Sequence, residues 1–194
     1  MQMEAYQKAQ SRSDLSQVLV HFTKEMTPNV KPFDILRNIL NMGRVLASKA
    51  EYITRYYSDG TACFYDVPHQ NWSQLINTNP SRRRGYGIIV MKVDFWHKGG
   101  RPAIYTENFD PFFWPESERY RISPLDLCKQ PYPYDWTHER EWRIRGDFYF
   151  YDVGWWPCVE KIKDAIIAFA EYNFIHSIYV IELGRDLKKD EIYF

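Results

Sequence analysis

The sequence predicts an α+β fold with a mixed, mostly antiparallel sheet and a few packed helices. Strand-like segments outnumber helical ones, and the connections between them differ in length. The 194 residues fit one domain of ordinary size, residues 1–194, and 45% of them are hydrophobic, which is enough for a core. Aromatic residues make up 18% of the chain, so we expect flat rings to fill much of that core and to line a cleft.

The first part of the chain predicts a strand, a helix, a second strand and a second helical segment. Residues 17–23 (QVLVHFT) are β-branched and aromatic, which is typical of a strand. A helix is expected between Pro32, which suits a first turn, and Gly43, which suits a C-cap. Residues 60–68 (GTACFYDVP) predict a short buried strand, and residues 69–79 a helical segment. The apolar stripe of the first helix consists of Phe33, Ile35, Leu36, Ile39 and Leu40.

The remaining chain predicts more strands and one longer helix. A strand at 88–93 is followed by residues 98–106 (KGGRPAIYT), in which a Gly-Gly turn and another strand predict a hairpin. Residues 107–135 show no clear period, and a helix is expected near 122–130. The last predicted segments are a strand-like run at 141–152, a helix at 159–173 and a strand at 177–183.

Composition and charge argue against several classes of protein. The 25 basic and 25 acidic residues cancel, so net charge does not favour loose binding of nucleic acid over the whole surface. No apolar run approaches a membrane span, and residues 1–15 lack the apolar middle of a signal peptide. Cys63, Cys128 and Cys158 are far apart and odd in number, which indicates reduced thiols and a cytoplasmic location. No two cysteines have metal-ligand spacing, so we expect no metal site.

Two predicted strands contain candidate binding residues. His21 and Thr23 lie at the end of the first strand. One ring nitrogen of His21 can donate a hydrogen bond to a ligand while a backbone group fixes the other nitrogen. Taken alone, a histidine whose hydrogen bonds are satisfied by a neighbouring residue is the better interpretation. Cys63 has nothing nearby in sequence to lower its pKa, which favours a small buried hydrophobe over a nucleophile. Phe64 and Tyr65 alternate sides, so one of them can face a cleft and stack on a planar ligand.

Two charged stretches complete the candidates. Arg82–Arg84 precede Tyr86 and can meet phosphates, although a solvated basic loop explains them equally well. Glu139 and Glu141 would share one face of a strand, where two acids repel unless a cation, a ligand or water separates them. Surface salt bridges with neighbouring arginines are the common explanation. The two tryptophans nearby favour a cleft, because apolar walls strengthen the electrostatics of a carboxylate.

Six segments occur in a recognisable order along the chain: VLVHFTK, ILRNILNMGRVLAS, ACFYDVP, YGIIVMK, KGGRPAIY and WTHEREWRI. In this order they resemble the AbiGi-type abortive-infection family of bacterial phage-defence loci. The resemblance covers roughly residues 14–147, and its most specific pattern is HFT…ACF…P…EREWR. It implies a role in phage defence, with a cognate toxin or antitoxin as a partner.

The same order is similar to the wider ADP-ribosyltransferase superfamily, which includes the DarT-like toxins that modify DNA. His21 matches the first-strand histidine of that group, and the Glu-Arg-Glu at 139–141 matches its Glu-x-Glu, in which the second acid is catalytic. The resemblance implies an ADP-ribosyltransferase-like fold. The middle element departs from the pattern, because ACFYDVP lacks Ser-Thr-Ser. Its tyrosine is represented by Tyr56, Tyr57 or Tyr65.

This similarity implies NAD as co-substrate and no metal. Glu141 would stabilise the positive charge that develops when the bond between nicotinamide and ribose breaks, as in glycoside chemistry. Glu139 would orient or deprotonate an acceptor in nucleic acid or protein, or water if the chain is an NAD glycohydrolase. The implied binding residues are His21 for the adenosine ribose, Tyr65 for nicotinamide, and Arg44 or Arg84 for the pyrophosphate.

Two further hypotheses compete with the enzyme. A non-catalytic antitoxin or sensor of the same fold would bind a partner protein or a nucleotide through the aromatic residues of 107–135 and 148–156. A nucleic-acid-processing protein would use Arg82–Arg84, and the neutral net charge counts against it. The role of Glu141 separates the enzyme from the non-catalytic protein.

Overall fold

The computed structural model describes residues 16–24, 30–50, 57–78, 83–107 and 110–192. In this part of the chain the α-helices are α1 (Pro32–Met42), α2 (Trp72–Thr78), α3 (Lys92–His97) and α4 (Ile162–Glu171). Short 3-10 turns cover His69–Asn71, Pro111–Phe113, Glu116–Arg121, Thr137–Glu139 and Lys189–Glu191. The strands are β1 (Val18–Phe22), β2 (Arg44–Val45), β3 (Thr61–Tyr65), β4 (Gly87–Met91), β5 (Arg101–Pro102), β6 (Ile104–Thr106), β7 (Ile122–Asp126), β8 (Tyr134–Asp135), β9 (Glu141–Arg145), β10 (Phe148–Tyr149), β11 (Trp155–Val159), β12 (Ser177–Val180) and β13 (Arg185–Lys188).

A sheet of eight of these described strands forms the centre of the fold, in the order β13-β12-β11-β4-β1-β3-β9-β5. Its neighbouring strands are antiparallel apart from β11 and β12, which run parallel. Two smaller sheets, β10-β2 and β6-β7-β8, accompany it. The prediction of an α+β fold with a mostly antiparallel sheet is therefore confirmed.

Strand alternation gives the large sheet two apolar faces. On one face, Leu19 and Phe64 belong to a buried cluster that includes residues of α1 and α4; we call it the α1/α4 face. On the opposite face, Val20 and Tyr65 belong to a second buried cluster that includes Trp72 of α2; we call it the α2 face. Any side chain of β1, β3 or β9 can be assigned to one face from its register with these residues.

The first predicted helix and the first predicted strand are confirmed. α1 begins at Pro32, which occupies its first turn, and it ends before Gly43, whose φ of 65° is the left-handed value that favours glycine at a C-cap. The buried residues of α1 are those of the predicted stripe, with Ile35 partly buried against the same cluster. β1 lies inside the predicted strand 17–23.

The predicted hairpin around the Gly-Gly pair is wrong. The chain leaves β4 at Met91 and forms α3 where the strand was expected to continue. Phe95 of α3 is buried, and a Cβ atom on Gly100 would lie 2.1 Å from its ring. β5 then pairs with β9, and β6 with β7. Gly100 thus permits close packing after a helix, which the local sequence did not distinguish from a hairpin turn.

Other differences follow from local backbone chemistry. The helix expected near 122–130 is wrong, because Pro124 disfavours the helical region for the preceding residue and the segment forms β7. The strand-like run 141–152 divides into β9 and β10 at Gly146, which has a φ of 64°. α4 is shorter than the predicted helix 159–173, since Val159 belongs to β11. Among the described helices, none combines the length and apolarity needed to cross a bilayer.

Phe64 lies at the centre of the core on the α1/α4 face, and its removal should destabilise the fold. It is fully buried, with ring centroids 4.7 Å from Phe95 and 5.2 Å from Phe148. We expect Phe64→Ala to lower the free energy of unfolding by about 3–5 kcal/mol, because a large cavity replaces a packed ring. Urea denaturation of both proteins measures the difference. Phe112→Ala is the control, since Phe112 is 84% exposed and its loss should change stability by less than about 0.5 kcal/mol. Equal effects of the two substitutions would contradict the assignment of Phe64 to the core.

A candidate active site with two buried glutamates

The candidate site lies where β3 and β9 pair. Glu141 is opposite Tyr65, and Tyr65 is in turn opposite Val20 of β1, so the side chains of Glu141 and Tyr65 share the α2 face. Arg143 is opposite Cys63 and lies on the same face as the glutamate. A carboxylate, a phenol, a guanidinium and a thiol are therefore gathered on adjacent strands.

Glu141 is held firmly at the start of β9. Its carboxylate is buried, and Arg143 donates to Oε2 from Nε at 2.7 Å and contacts the same oxygen from Nη2 at 2.6 Å. The Nη1 atom of Arg143 donates to the carbonyl of Ile122 at 2.6 Å. The backbone N–H of Glu141 donates to the hydroxyl of Tyr105 at 2.9 Å. Both the main chain and the side chain of Glu141 are thus fixed by partners distant in sequence.

Glu139 reaches the same region through a second buried ion pair. Its carboxylate is bound by Arg83, which is 2% exposed and lies with its guanidinium carbon 4.8 Å from the centroid of the Tyr65 ring. The Nε atom of Arg83 is buried and has no hydrogen-bond partner in the described structure. Burial, followed by the negative charge of Glu139, raises the pKa of Tyr65, so its hydroxyl stays protonated at neutral pH.

The two glutamates come together for a reason other than the one predicted. The sequence prediction placed both in one strand, but Glu139 ends a 3-10 turn, and Arg140 has φ 44° and ψ 49° before β9 begins. A left-handed residue other than glycine costs roughly 1–2 kcal/mol, and such residues cluster at functional sites. The left-handed residue thus joins a buried turn to a buried strand end.

Asp66 stabilises this turn from beside it. Lys92 Nζ lies 2.7 Å from its Oδ1 atom, and the indole of Trp142 donates to Oδ2 at 3.3 Å. Arg140 is 3.7 Å from the same carboxylate, and its carbonyl accepts from the N–H of Asp66 at 3.1 Å. Asp66 and Tyr105 were not among the predicted residues, although both lie within the segments that carry the family resemblance.

His21 lies on the other face of the sheet. It is opposite Ile88 in β4, and its ring is 5.6 Å from Phe64, which places it on the α1/α4 face. The resemblance assigned His21 and Glu141 to one NAD molecule, but the register of β1, β3 and β9 directs their side chains to opposite faces of the sheet. Neither Glu139 nor Glu141 is a described contact of its ring.

The imidazole of His21 is bound to the backbone of β3. Its Nδ1 atom is 2.8 Å from the carbonyl oxygen of Cys63, and because a carbonyl only accepts, Nδ1 carries the proton. Burial lowers the pKa of His21 from 6.5 to about 4, the hydrogen bond to Cys63 opposes that shift, and the charge of Lys24 adds to it. His21 is therefore neutral at pH 7 and is satisfied by a neighbouring backbone group, which is the simpler of the two sequence interpretations.

The remaining predicted residues are distributed over the fold. Phe64 belongs to the core of the α1/α4 face. Thr23 is buried, and its hydroxyl has no hydrogen-bond partner in the described structure; its backbone carbonyl accepts from the N–H of Arg84 at 3.0 Å. Tyr86 donates from its hydroxyl to Asp164 at 2.7 Å. The structure thus gathers Glu139, Glu141 and Tyr65, and it places His21 and Phe64 on the α1/α4 face and Tyr86 against Asp164.

Arg44 and the alternative tyrosines lie apart from the two glutamates or outside the described chain. Arg44 donates to the hydroxyl of Tyr149 at 2.7 Å and is 3.2 Å from Asp147. The ring of Tyr57 is 6.4 Å from that of Tyr120, at the side of the fold where β9 ends. Tyr56 and Arg82 fall outside the described residues. Of the two alternative tyrosines that the structure describes, Tyr65 therefore lies beside the acids and Tyr57 does not.

Cys63 lies near Glu141 as a protonated thiol, which argues against a role as a nucleophile. Burial raises the pKa of the Cys63 thiol, and the charge of Glu141 raises it further, so the thiol stays protonated. All three cysteines are free thiols. Within the described ranges, no group of three or more histidine, cysteine, aspartate or glutamate side chains has an arrangement that holds a metal ion.

The depressed pKa of His21 predicts a pH dependence of stability. Because the folded pKa of about 4 lies below the unfolded value of 6.5, the unfolded chain binds the proton more readily between these values. The contribution of His21 is complete above pH 6.5 and is lost as pH falls towards 4, by about 3 kcal/mol in all. We expect His21→Gln to flatten the stability curve in this range, measured by urea denaturation at several pH values. His97→Gln, at an exposed helix end, should leave the curve as it is; an unchanged curve for His21→Gln would contradict the prediction.

Comparison with known proteins gives one similar structure. No protein-family model matches the chain, and no curated protein matches it. The structure of DarT from Thermus sp. 2.9 in complex with NAD+ is similar over 84% of this chain and 93% of that chain, with 12% sequence identity and a TM-score of 0.46. At this identity and TM-score the similarity assigns neither a family nor an activity to this chain.

Proposed function

We propose that this chain transfers ADP-ribose from NAD to a nucleic-acid or protein acceptor, as a cytoplasmic phage-defence protein of the abortive-infection type. The observation that carries the proposal is the placement of two buried carboxylates beside Tyr65 at the start of β9. This is the position at which the sequence resemblance expects a catalytic Glu-x-Glu. The phage-defence role, and a cognate toxin or antitoxin as a partner, depend on the AbiGi-type resemblance alone.

Glu141 is suited to stabilise a developing positive charge. In the proposed reaction the bond between ribose C1′ and the nicotinamide nitrogen breaks, and nicotinamide leaves with the bonding electrons. The ribose then carries oxocarbenium character, as in glycoside cleavage. A fixed carboxylate near that charge lowers the barrier because it needs no reorganisation during the reaction. Arg143 and Tyr105 provide that fixation for Glu141.

Glu139 is suited to handle the proton of the acceptor. The acceptor atom forms the new bond to C1′, and its proton passes to a base. Glu139 is buried and bound to Arg83, so its orientation is set by a partner that also lies over Tyr65. The unpartnered Nε of Arg83 is a buried donor that fits an anionic substrate group. Arg83 therefore joins Arg84, which with Arg44 is one of the two alternative pyrophosphate contacts that the resemblance implies, as a candidate for binding an anionic substrate group.

A non-catalytic antitoxin or sensor is the second candidate. Both glutamates are already bound by arginines, an arrangement that also suits a purely structural pair of ion pairs. Three aromatic side chains between residues 110 and 135 are largely exposed, which suits a surface that binds a partner. These are Phe112, Phe113 and Tyr132.

Substitution of Glu141 tests the proposed enzyme. The full chain is incubated with labelled NAD and with DNA, RNA and protein acceptors, and both label transfer and nicotinamide release are measured. We expect wild type to show one or both, and Glu141→Gln to lower the rate by at least about 100-fold, because a neutral amide cannot match the charge of the carboxylate. Glu182→Gln, at an exposed glutamate, should retain full activity.

Thermal melting of each variant accompanies the assay. Glu141→Gln leaves Arg143 without its charged partner, so a melt establishes that lost activity is not lost folding. No transfer and no nicotinamide release by the folded wild type would overturn the enzyme and favour the non-catalytic protein. Equal activity of wild type and folded Glu141→Gln would remove Glu141 from the chemistry.

A further inference from the structure

A cavity lies at the end of β9 that is farther from Glu141. Its volume is about 470 Å³, and its walls come from the end of β9, from β10, from the 3-10 turn at 116–121 and from the segment after α3. Arg145, the last residue of β9, lines it, whereas Glu141 is the first residue of the strand. Four residues of extended chain separate them by about 13 Å. The cavity is thus separate from the two buried glutamates.

The walls of this cavity carry more positive than negative charge. Glu118 is bound by Arg121, and Asp147 is 3.2 Å from Arg44, so both acids of the wall have a cation of their own. Arg101 and Arg145 also line the cavity, and neither takes part in an ion pair of the described residues. Among the described residues, these two guanidinium groups therefore have no carboxylate partner.

Both arginines are nevertheless held in place. Arg101 donates from Nη1 to the carbonyls of Trp96 at 2.8 Å and Gly100 at 2.7 Å, and its guanidinium carbon lies 3.7 Å from the centroid of the Trp96 ring. Arg145 donates from Nη2 to the carbonyl of Ser117 and lies 5.1 Å from the ring of Tyr120. Each guanidinium has five N–H donors, so each retains donors beyond those used. They are oriented cations with unfilled hydrogen-bonding capacity.

We propose that this cavity binds the phosphate group of a nucleotide, with the base against its aromatic wall. Two arginines without carboxylate partners suit a phosphate, because guanidinium forms paired, charge-assisted hydrogen bonds to phosphate oxygens. Tyr149 lines the cavity with 55% of its surface exposed and supplies most of the aromatic surface for a planar base, because Tyr120, which also lines the cavity, is buried. The volume lies within the range of roughly 300–1,000 Å³ that ligand clefts occupy. The phosphate belongs to a free mononucleotide or to the 5′ end of a strand.

Calorimetric titration of the full chain with 5′-AMP, in the absence of NAD, tests the site. We expect saturable binding, with adenosine weaker by at least about tenfold, because it lacks the charged hydrogen-bond acceptors. We expect the single substitutions Arg101→Gln and Arg145→Gln each to weaken the binding of 5′-AMP by about tenfold or more. Arg185→Gln is the matched control, since Arg185 lies on β13 at the opposite edge of the sheet. Thermal melts establish that each variant is folded.

Further titrations locate the nucleotide and identify its source. Glu141→Gln should bind 5′-AMP as wild type does, so the site stands even if the proposed transferase activity fails. The affinity for a tetrathymidylate with a 5′-phosphate is compared with that for the same strand without the phosphate. Tighter binding of the phosphorylated strand shows that the site accepts a strand end. Binding of 5′-AMP but of neither strand assigns the site to a free mononucleotide. Absence of saturable 5′-AMP binding, equal binding of adenosine, or unchanged binding in both folded arginine variants would overturn the proposal.

Discussion

The pairing of β3 with β9 is the constraint on which the candidate site depends. It sets Tyr65 opposite Glu141 and Cys63 opposite Arg143, and so directs all four side chains to the α2 face. The same register directs Phe64 to the α1/α4 face, where it fills the core. A shift of one residue would exchange the two faces and bury a charged pair in the main core. The interior position of β3, between β1 and β9, resists such a shift.

The two buried ion pairs make this region costly to assemble. Removing one partner of a buried pair typically costs about 3–5 kcal/mol, because the other charge is left without compensation. The left-handed Arg140 adds backbone strain between the two acids. Apolar residues of similar volume often replace a buried ion pair without loss of stability. Stability alone therefore does not require charge at these positions, whereas the active site proposed above does.

Local chemistry predicted the local elements, and long-range register decided the rest. Pro32 and Gly43 bound α1 as expected, because a proline start and a glycine C-cap act within one turn. The two glutamates were identified from the sequence as a pair. The 3-10 turn and the left-handed conformation of Arg140 between them were not predicted, because the residue types Glu-Arg-Glu do not indicate a positive φ. The face of His21 was beyond reach from sequence, because it depends on β1, β3 and β9 pairing in one register across 120 residues. The Gly-Gly pair was wrongly predicted to form a hairpin turn for a similar reason. Gly100 is required by its close packing against the Phe95 ring, which the local sequence does not show.

His21 connects the two faces without contacting the acids. β1 and β3 pair at Val20 and Tyr65, and the imidazole then supplies a hydrogen bond to the carbonyl of Cys63. A backbone carbonyl buried without a donor would cost about 1–3 kcal/mol, so the neutral ring stabilises the junction of the two strands. Phe64 packs against the His21 ring, and its neighbours in β3, Cys63 and Tyr65, both point to the α2 face. A histidine on the α1/α4 face therefore supports the position of the phenol and the carboxylate on the other face through the backbone they share.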